Sequence, residues 1–559
     1  MEQQRPQTRQ QMQPQPPAQQ QEQQQVRAAP DATEEGPSPV WLPEVVHLFA
    51  GFLGGNELAC TLRLVNKATA AQFRGPEHTT TRLSVLVPHH AFAWRWGASD
   101  ATRSLAVRQR KQLPCLTARS GSTANLEVLL ARDDLTSPLD GVVMEAAASA
   151  GRLEVCRWLQ QQGCCPWGYG VLYAAAEAGH KEVCEQLLEW DRLVSWRAAA
   201  AAAAARGGHV GLMDWLLTGT DEAEDPNDGL ELLKAAAAGC DLPTLQRRHH
   251  AYLDRWGEEL PCAQQGLVVA AAAGSLTADW RDKVEWLEGR GYPRTDSICA
   301  RAAERADGRD RLEWLQQRGY PLAPVAACSA ARHGNVDALQ FLLAQGVHLG
   351  WSDSCATYSA AQFGHLAALK VLHAHGARIA PTAAEGAASG GHLPVVAWLV
   401  ETLGAAVALT ADVTVSAAKS GSVELLAWLH QHGCPWSASV FVAAAGTGSE
   451  ELLEWLVEHG CPMGDDGRPY QRALENTDLA MLRCLRRLGC PWGPVGRVFT
   501  SAVLSFRLIT PLRRKQHLLA LTWLVEQGCP VDWAEAEREA ERRGDGEVLA
   551  WLRQMRSQQ

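Results

Sequence analysis

Between residues 116 and 556 the apolar and polar positions recur in one frame. Residues 421–447, GSVELLAWLHQHGCPWSASVFVAAAGT, and 448–476, GSEELLEWLVEHGCPMGDDGRPYQRALEN, carry it most plainly. The frame returns at Gly151, Gly334, Gly364 and Gly391. Trp-Leu marks fall at 158, 215, 286, 314, 398, 428, 455, 523 and 551. From Trp286 to Trp455 the marks lie 27 to 30 residues apart, with Phe341 and Val371 as stand-ins. A fixed period of this size marks a repeat architecture. Counting degenerate copies gives thirteen or fourteen units.

Each unit predicts two helices. The Ala-rich segment before the Gly reads as a short first helix whose small side chains allow close approach. Gly followed by His, Ser or Asn reads as the turn. The second helix opens on acidic residues such as Glu154, Glu182, Asp337 and Glu424, which suit the positive end of the helix dipole. Val155, Trp158 and Leu159 are placed on its buried stripe. Gly163 ends it and Pro166 prevents continuation. One such hairpin cannot bury its apolar face alone, so the prediction is an all-α stacked solenoid.

Two places depart from the frame. Cys484 and Trp523 lie 39 residues apart, which puts an insertion near 503–517. Around 218–262 the frame degrades, and Asp221 to Asp228 reads as an exposed loop. The run Ala198 to Ala205 is a strong helix former and extends a first helix.

Ahead of the array stand three further segments. Residues 1–39 are Gln- and Pro-rich and almost without large apolar residues, so they are expected to be disordered. Residues 40–80 read as a small helical unit, and 81–115 as a connector or cap. In the helical unit Pro43 suits a first turn. Val45, Val46, Phe49, Phe52 and Leu53 make an apolar stripe, Gly54-Gly55 stops that helix, and Asn56 can cap the next one, whose apolar face is Leu58, Leu62 and Val65.

Two resemblances follow. The Ala-rich helix, the Gly-His or Gly-Ser turn (AGH at 178–180, FGH at 363–365, GGH at 390–392) and the leucine-rich helix ending in Gly resemble the ankyrin family. The usual 33-residue period is shortened here. The family's Thr-Pro-Leu-His start is replaced by Cys-Pro-Trp or Tyr-Pro, as at 434–436, 490–492 and 292–293. This resemblance implies an ankyrin-like solenoid with an extended concave surface for proteins. Residues 40–73 resemble an F-box, through Leu42-Pro43-Glu44-Val45, Phe52-Leu53, Glu57-Leu58 and Arg63-Leu64-Val65-Asn66-Lys67. A Trp common near that family's third helix is absent after Lys67. This resemblance implies docking of a Skp-type adaptor of a cullin ubiquitin ligase through Leu42, Pro43, Val45, Val46, Phe49, Phe52, Leu53 and Leu58. The competing reading is a helical cap over the first repeat.

Composition narrows the chemistry. The chain of 559 residues carries a formal net charge of -10, with 46% hydrophobic and 20% charged residues. That balance predicts no broad nucleic-acid binding, which needs a basic face. No run of 18 apolar residues predicts a membrane span. The 16 Cys in a chain without a secretion signal read as reduced thiols of the cytosol or nucleus. Cys434, Cys461, Cys490 and Cys529 recur once per repeat in Gly-Cys-Pro, which suits buried packing rather than a clustered zinc site. His180, His209, His365 and His392 follow Gly at the turn and read as turn residues. His249-His250, His89-His90 and the pair His373 and His375 lack a third ligand nearby.

No phosphate loop, dinucleotide fingerprint or catalytic elbow appears. The expectation is therefore no enzyme activity, no catalytic residue, no metal and no cofactor. Two basic clusters, Arg103 with Arg108-Gln109-Arg110-Lys111, and Arg513-Arg514-Lys515, read as solvated loops, with nuclear import or anion binding as the other reading. The sequence thus leaves open a protein-binding substrate receptor of a ubiquitin ligase, or a plain repeat scaffold or inhibitor, monomeric by itself.

Overall fold

A computed structural model describes residues 41–558, apart from 133–134, 136–138, 165–168, 191–195, 219–225, 257–259, 351–352 and 506–510. Among the described residues the regular secondary structure is entirely helical. Among the described residues from Val107 to Ser557 the helices form fifteen consecutive hairpins, with one extra short helix, Ala405–Ala408. The first hairpin is Val107–Ser120 with Thr123–Leu130, so the array starts inside the segment expected to be a connector. The first helix of each hairpin packs on the first helix of the next, and the second helices form an outer layer behind them.

Alanine explains how closely the first helices stack. Ala326, Ala327, Ala330 and Ala331 of one helix and Ala356, Ala360 and Ala361 of the next are fully buried. The alanine run behaves likewise. It forms Arg197–Arg206, with Ala200 to Ala205 buried. The second helices supply the larger apolar groups. In Leu153–Gln161 the buried positions are Val155, Cys156 and Leu159, while Trp158 is half-buried. Removing each such Leu or Val from water contributes roughly 1.5–3 kcal/mol.

The Trp marks lie at the rim of this core, which corrects their placement on the buried stripe. Trp286, Trp314, Trp428 and Trp455 are all half-buried. Each has a cation or imidazole one turn later on its own helix. Arg290 lies 4.9 Å above Trp286 and Arg318 lies 4.8 Å above Trp314. His432 stacks on Trp428 at 3.9 Å and His459 on Trp455 at 4.3 Å. The i, i+4 spacing sets these pairs on one helical face. An indole therefore closes the edge of each of these repeats while its exposed side is covered by a polar ring or guanidinium.

Turn chemistry comes in two forms. Where Gly is followed by Ser, Asn or Asp, that side chain caps the second helix. Ser422 accepts from the Leu425 N–H, Ser449 from Leu452 and Asn335 from Ala338. Where Gly is followed by His, the imidazole reaches the preceding repeat instead. A Cβ at Gly151, Gly179, Gly334 or Gly364 would meet the rings of His180, His209, His365 or His392 at 2.5–2.6 Å. These glycines also have φ between +68° and +81°. The position thus requires glycine twice, for its left-handed backbone and for its missing side chain.

Several expectations shift. Asp228 lies in the first turn of the helix Pro226–Gly239, not in a loop, and residues 221–225 fall outside the described set. Much of the insertion lengthens a second helix to Pro511–Glu526, 16 residues where most have about nine. The side chains of Arg513, Arg514 and Lys515 lie outside the described set, as do the residues 1–40, which contain the expected disordered tail. No described helix is long and apolar enough to cross a membrane.

Candidate binding groove

The array curves until its start meets its later repeats. Arg110, buried in the helix Val107–Ser120, pairs with Asp478 and donates to the Gly448 carbonyl at 2.7 Å. Asp478 also caps the helix Leu479–Arg487 through the Met481 N–H. Burial pushes the Asp478 carboxyl up, against the pull of the Arg110 guanidinium. Ahead of that helix Arg103 pairs with Glu454, and its carbonyl accepts the Glu450 N–H at 3.1 Å. The cluster Arg103 and Arg108 to Lys111 is therefore no solvated loop. Its second half is helical, and Arg103 and Arg110 form a docking contact, because their carboxylate partners arrive from a distant repeat.

Glu450, Glu454 and Cys484 bring three groups with metal-ligand chemistry together at this contact. The two carboxylates already receive Arg487, at 2.9 and 2.6 Å, and Arg103. The arrangement is an ion-pair network, with the Cys484 thiol pushed up to about 12 by burial and then by Glu450.

On the first-helix face a groove of about 760 Å³ crosses three successive repeats. Its floor is made by small or short apolar groups, Val415, Val442, Ala443 and Gly446. Its walls carry Lys419, Arg468, Arg472 and Glu475. Arg472 pairs with Glu475 at 2.7 Å, and Arg468 pairs with Asp466 at 2.8 Å. Lys419 is exposed at the end of its helix and makes no ion pair among the described residues. Three cations against one lining carboxylate give the groove a basic balance within an acidic chain.

The eight candidate docking residues of the N-terminal unit divide. Val46 and Leu58 join Ala50 and Phe73 in a small core, with Leu53 packed against it. Val45 is half-buried, and Pro43 is exposed. Leu42, Phe49 and Phe52 face solvent, Phe52 at 89% exposure. The predicted single stripe is broken because the helix Pro43–Ala50 ends before Phe52.

The repeat cysteines Cys434, Cys461, Cys490 and Cys529 are buried, as their periodic spacing suggested. The Cys434 thiol sits 2.9 Å from the Thr414 hydroxyl. His249 is buried with Nε2 2.7 Å from the Tyr292 hydroxyl. His89 pairs with Asn125, and the His375 ring with the Val371 carbonyl. Sequence reading missed the groove, since exposed positions of a first helix carry no periodic signal.

No protein-family model matches the chain, and no curated protein matches it. Similar solved structures include the pentatricopeptide repeat protein PPR10 from maize, at 11% identity and a TM-score of 0.26, covering 94% of this chain and 96% of that one. The same repeat protein in complex with an 18-nucleotide psaJ RNA element matches at 10% identity and a TM-score of 0.25, covering 91% and 96%. At these scores the two backbones do not follow a common path, and this chain's ligand is not read from them. The resemblances are nonetheless corrected. Neither an ankyrin nor an F-box family model supports them, and the similar structures are helical repeats of another kind. With the F-box assignment goes the expected Skp-type adaptor. The exclusion of nucleic acid is withdrawn as well. Net charge over a whole chain does not decide what one groove holds, and this groove is lined by Lys419, Arg468 and Arg472 against Glu475 alone. What stands is an all-α helical-hairpin solenoid.

Proposed function

We propose that this chain is a binding protein without chemistry of its own, and that the groove over Val415 to Asn476 holds an extended, acidic polypeptide segment. The observation that carries this reading is the unpaired Lys419 beside a small-residue floor open across three repeats. A floor of Val, Ala and Gly admits a backbone closely. The cationic walls favour carboxylate side chains over neutral or basic ones, as charge complementarity selects partners. The repeat array supplies a rigid support, because each helix is fixed by its neighbours.

The test is selection from a displayed random-peptide library on the full chain, followed by affinity measurement on the variant Lys419→Glu/Arg472→Glu. The expected result is enrichment of acidic peptides and at least tenfold weaker binding by the variant. Arg538→Glu, on an exposed distant helix, should leave binding unchanged. Enrichment of no sequence class, or equal binding by the groove variant, would sink the reading. A random RNA pool run beside the peptides discriminates the other macromolecule. RNA retained in a salt-sensitive, Lys419-dependent way, with no peptide enriched, would replace polypeptide by nucleic acid.

A further inference from the structure

Cys328 and Cys355 lie 27 residues apart, about one helical turn short of the 30-residue repeat from Gly334 to Gly364, and outside the Gly-Cys-Pro series. Cys328 belongs to the first helix Pro324–His333 and Cys355 to the next first helix, Asp353–Gln362. The fully buried positions of these helices are small, Ala326, Ala327, Ala330 and Ala331 on one and Ala356, Thr357, Ala360 and Ala361 on the other. Cys328 stands six residues before Gly334 and Cys355 nine before Gly364, the places of Glu145 before Gly151 and Gly170 before Gly179. In that earlier pair a Cβ at Gly170 would run into the Glu145 carboxylate, so the two cysteines face each other across the helix contact, near enough for Cys355 to push the Cys328 thiol up. Cys355 is exposed and Cys328 half-buried, and neither is in a disulfide. By contrast Cys156, Cys184, Cys299 and Cys484 are fully enclosed. No chemistry assigned to the groove uses this pair.

We infer that Cys328 and Cys355 are a reversible dithiol–disulfide site that staples two neighbouring first helices when a low-molecular-weight disulfide is present. Exchange begins at Cys355, the sulfur that solvent reaches. Its thiolate attacks one sulfur of glutathione disulfide and expels one glutathione thiolate, which takes up a proton. Cys328 then loses its proton to solvent and attacks the Cys355 sulfur of the mixed disulfide. The second glutathione thiolate leaves and is protonated in turn. The protein loses two hydrogens and two electrons, and the glutathione disulfide gains both. Burial first, and then the adjacent Cys355 and Asp353, push the Cys328 thiol up to about 12. The second step is therefore the slower one at neutral pH, since the thiolate is the nucleophile, and it speeds up as pH rises. A disulfide also needs its Cα atoms about 4.4–6.8 Å apart, which helices packed through alanine and threonine favour.

The test treats the reduced, native full-length chain with glutathione disulfide, blocks the remaining thiols with N-ethylmaleimide, and digests it with trypsin without reduction. Residues 319–332 and 333–370 form two tryptic peptides, each with one of the two cysteines and no other. The expected product is their linked pair, two hydrogens lighter than the sum, and it disappears on reduction. Cys355→Ser should abolish both the link and the glutathione adduct at this site. Cys328→Ser should retain the adduct on Cys355. Cys262 is exposed on another helix and reports that the oxidant has acted. Glutathione on Cys262 without the linked pair overturns the proposal. So does a link that forms only after urea unfolding.

Discussion

Arg110 and Asp478, 368 residues apart, form an ion pair in which both side chains are almost wholly out of water, at 4% and 0% exposure. The pair fastens the first hairpin of the array to one near its far end. Two charges in a dry contact are held there only by each other and by the surrounding hydrogen bonds, here the Gly448 carbonyl and the Met481 N–H. Removing one partner leaves the other charge uncompensated, which costs about 3–5 kcal/mol. Arg110→Ala should therefore lower stability by that order and open the closure. Small-angle scattering should show a larger radius of gyration, and amide exchange should rise at both 107–120 and 479–487. Unchanged scattering would mean that other contacts hold the closure without the ion pair.

Gly364→Ala should destabilise by more than surface substitutions do. The residue has φ +78°, and an added Cβ would lie 2.6 Å from the His392 ring. A non-glycine residue there costs roughly 1–2 kcal/mol in backbone conformation alone, and the ring clash adds to it. The double variant Gly364→Ala/His392→Ala should regain the clash part, so the two changes should be less than additive by urea unfolding. Strict additivity would show that the ring does not sit against Gly364.

Trp428→Ala separates a rim tryptophan from a core one. A wholly buried Trp would lose about 3–5 kcal/mol on truncation, the value its helix position suggested. The indole is instead half-buried and stacks on His432 at 3.9 Å. Part of its area is wet before mutation, so the expected loss is about 2 kcal/mol. Leu429→Ala, one residue on and fully buried, should cost more. Thermal melts of the two variants order them directly, and equal losses would place Trp428 in the core.

How much of this was legible in the sequence follows from what repeats and what does not. The period, the helix pairs and the turn glycines were readable, because each unit solves the same local packing problem with the same residue types. Val155 and Leu159 were readable as core for the same reason. The burial of Trp158 was overestimated because its spacing does not say which side of the stripe is wet. The Arg110–Asp478 closure left no local trace. It depends on curvature accumulated over many repeats, and neither residue departs from an ordinary helical surface pattern. The groove at Lys419 was hidden for a related reason, since the outward positions of first helices are free to vary. The dithiol had a signal that went unused: Cys328 and Cys355 are separated by one local repeat less about one turn, which places them on adjacent turns of a stacked pair.

The last prediction concerns acid stability and His249. Its ring is 3% exposed, and burial, followed by the nearby Arg290 and His250 charges, lowers its pKa to about 4. In the unfolded chain the imidazole titrates near 6.5. Between those values the unfolded state binds a proton that the folded state refuses, so stability falls as pH drops from about 6.5 to about 4 and the loss levels off below it. The gap of about 2.5 units corresponds to a loss of up to about 3 kcal/mol. His249→Phe removes the titrating group while keeping an aromatic ring against Trp286, whose centroid lies 5.1 Å away. It also leaves the Tyr292 hydroxyl without the His249 nitrogen, so the variant should be less stable at pH 7. The decisive quantity is the slope rather than the level. Urea midpoints of the variant between pH 7 and pH 4 should fall less steeply than those of the wild type. Parallel slopes would mean that His249 titrates normally in the folded chain, with its ring reached by water.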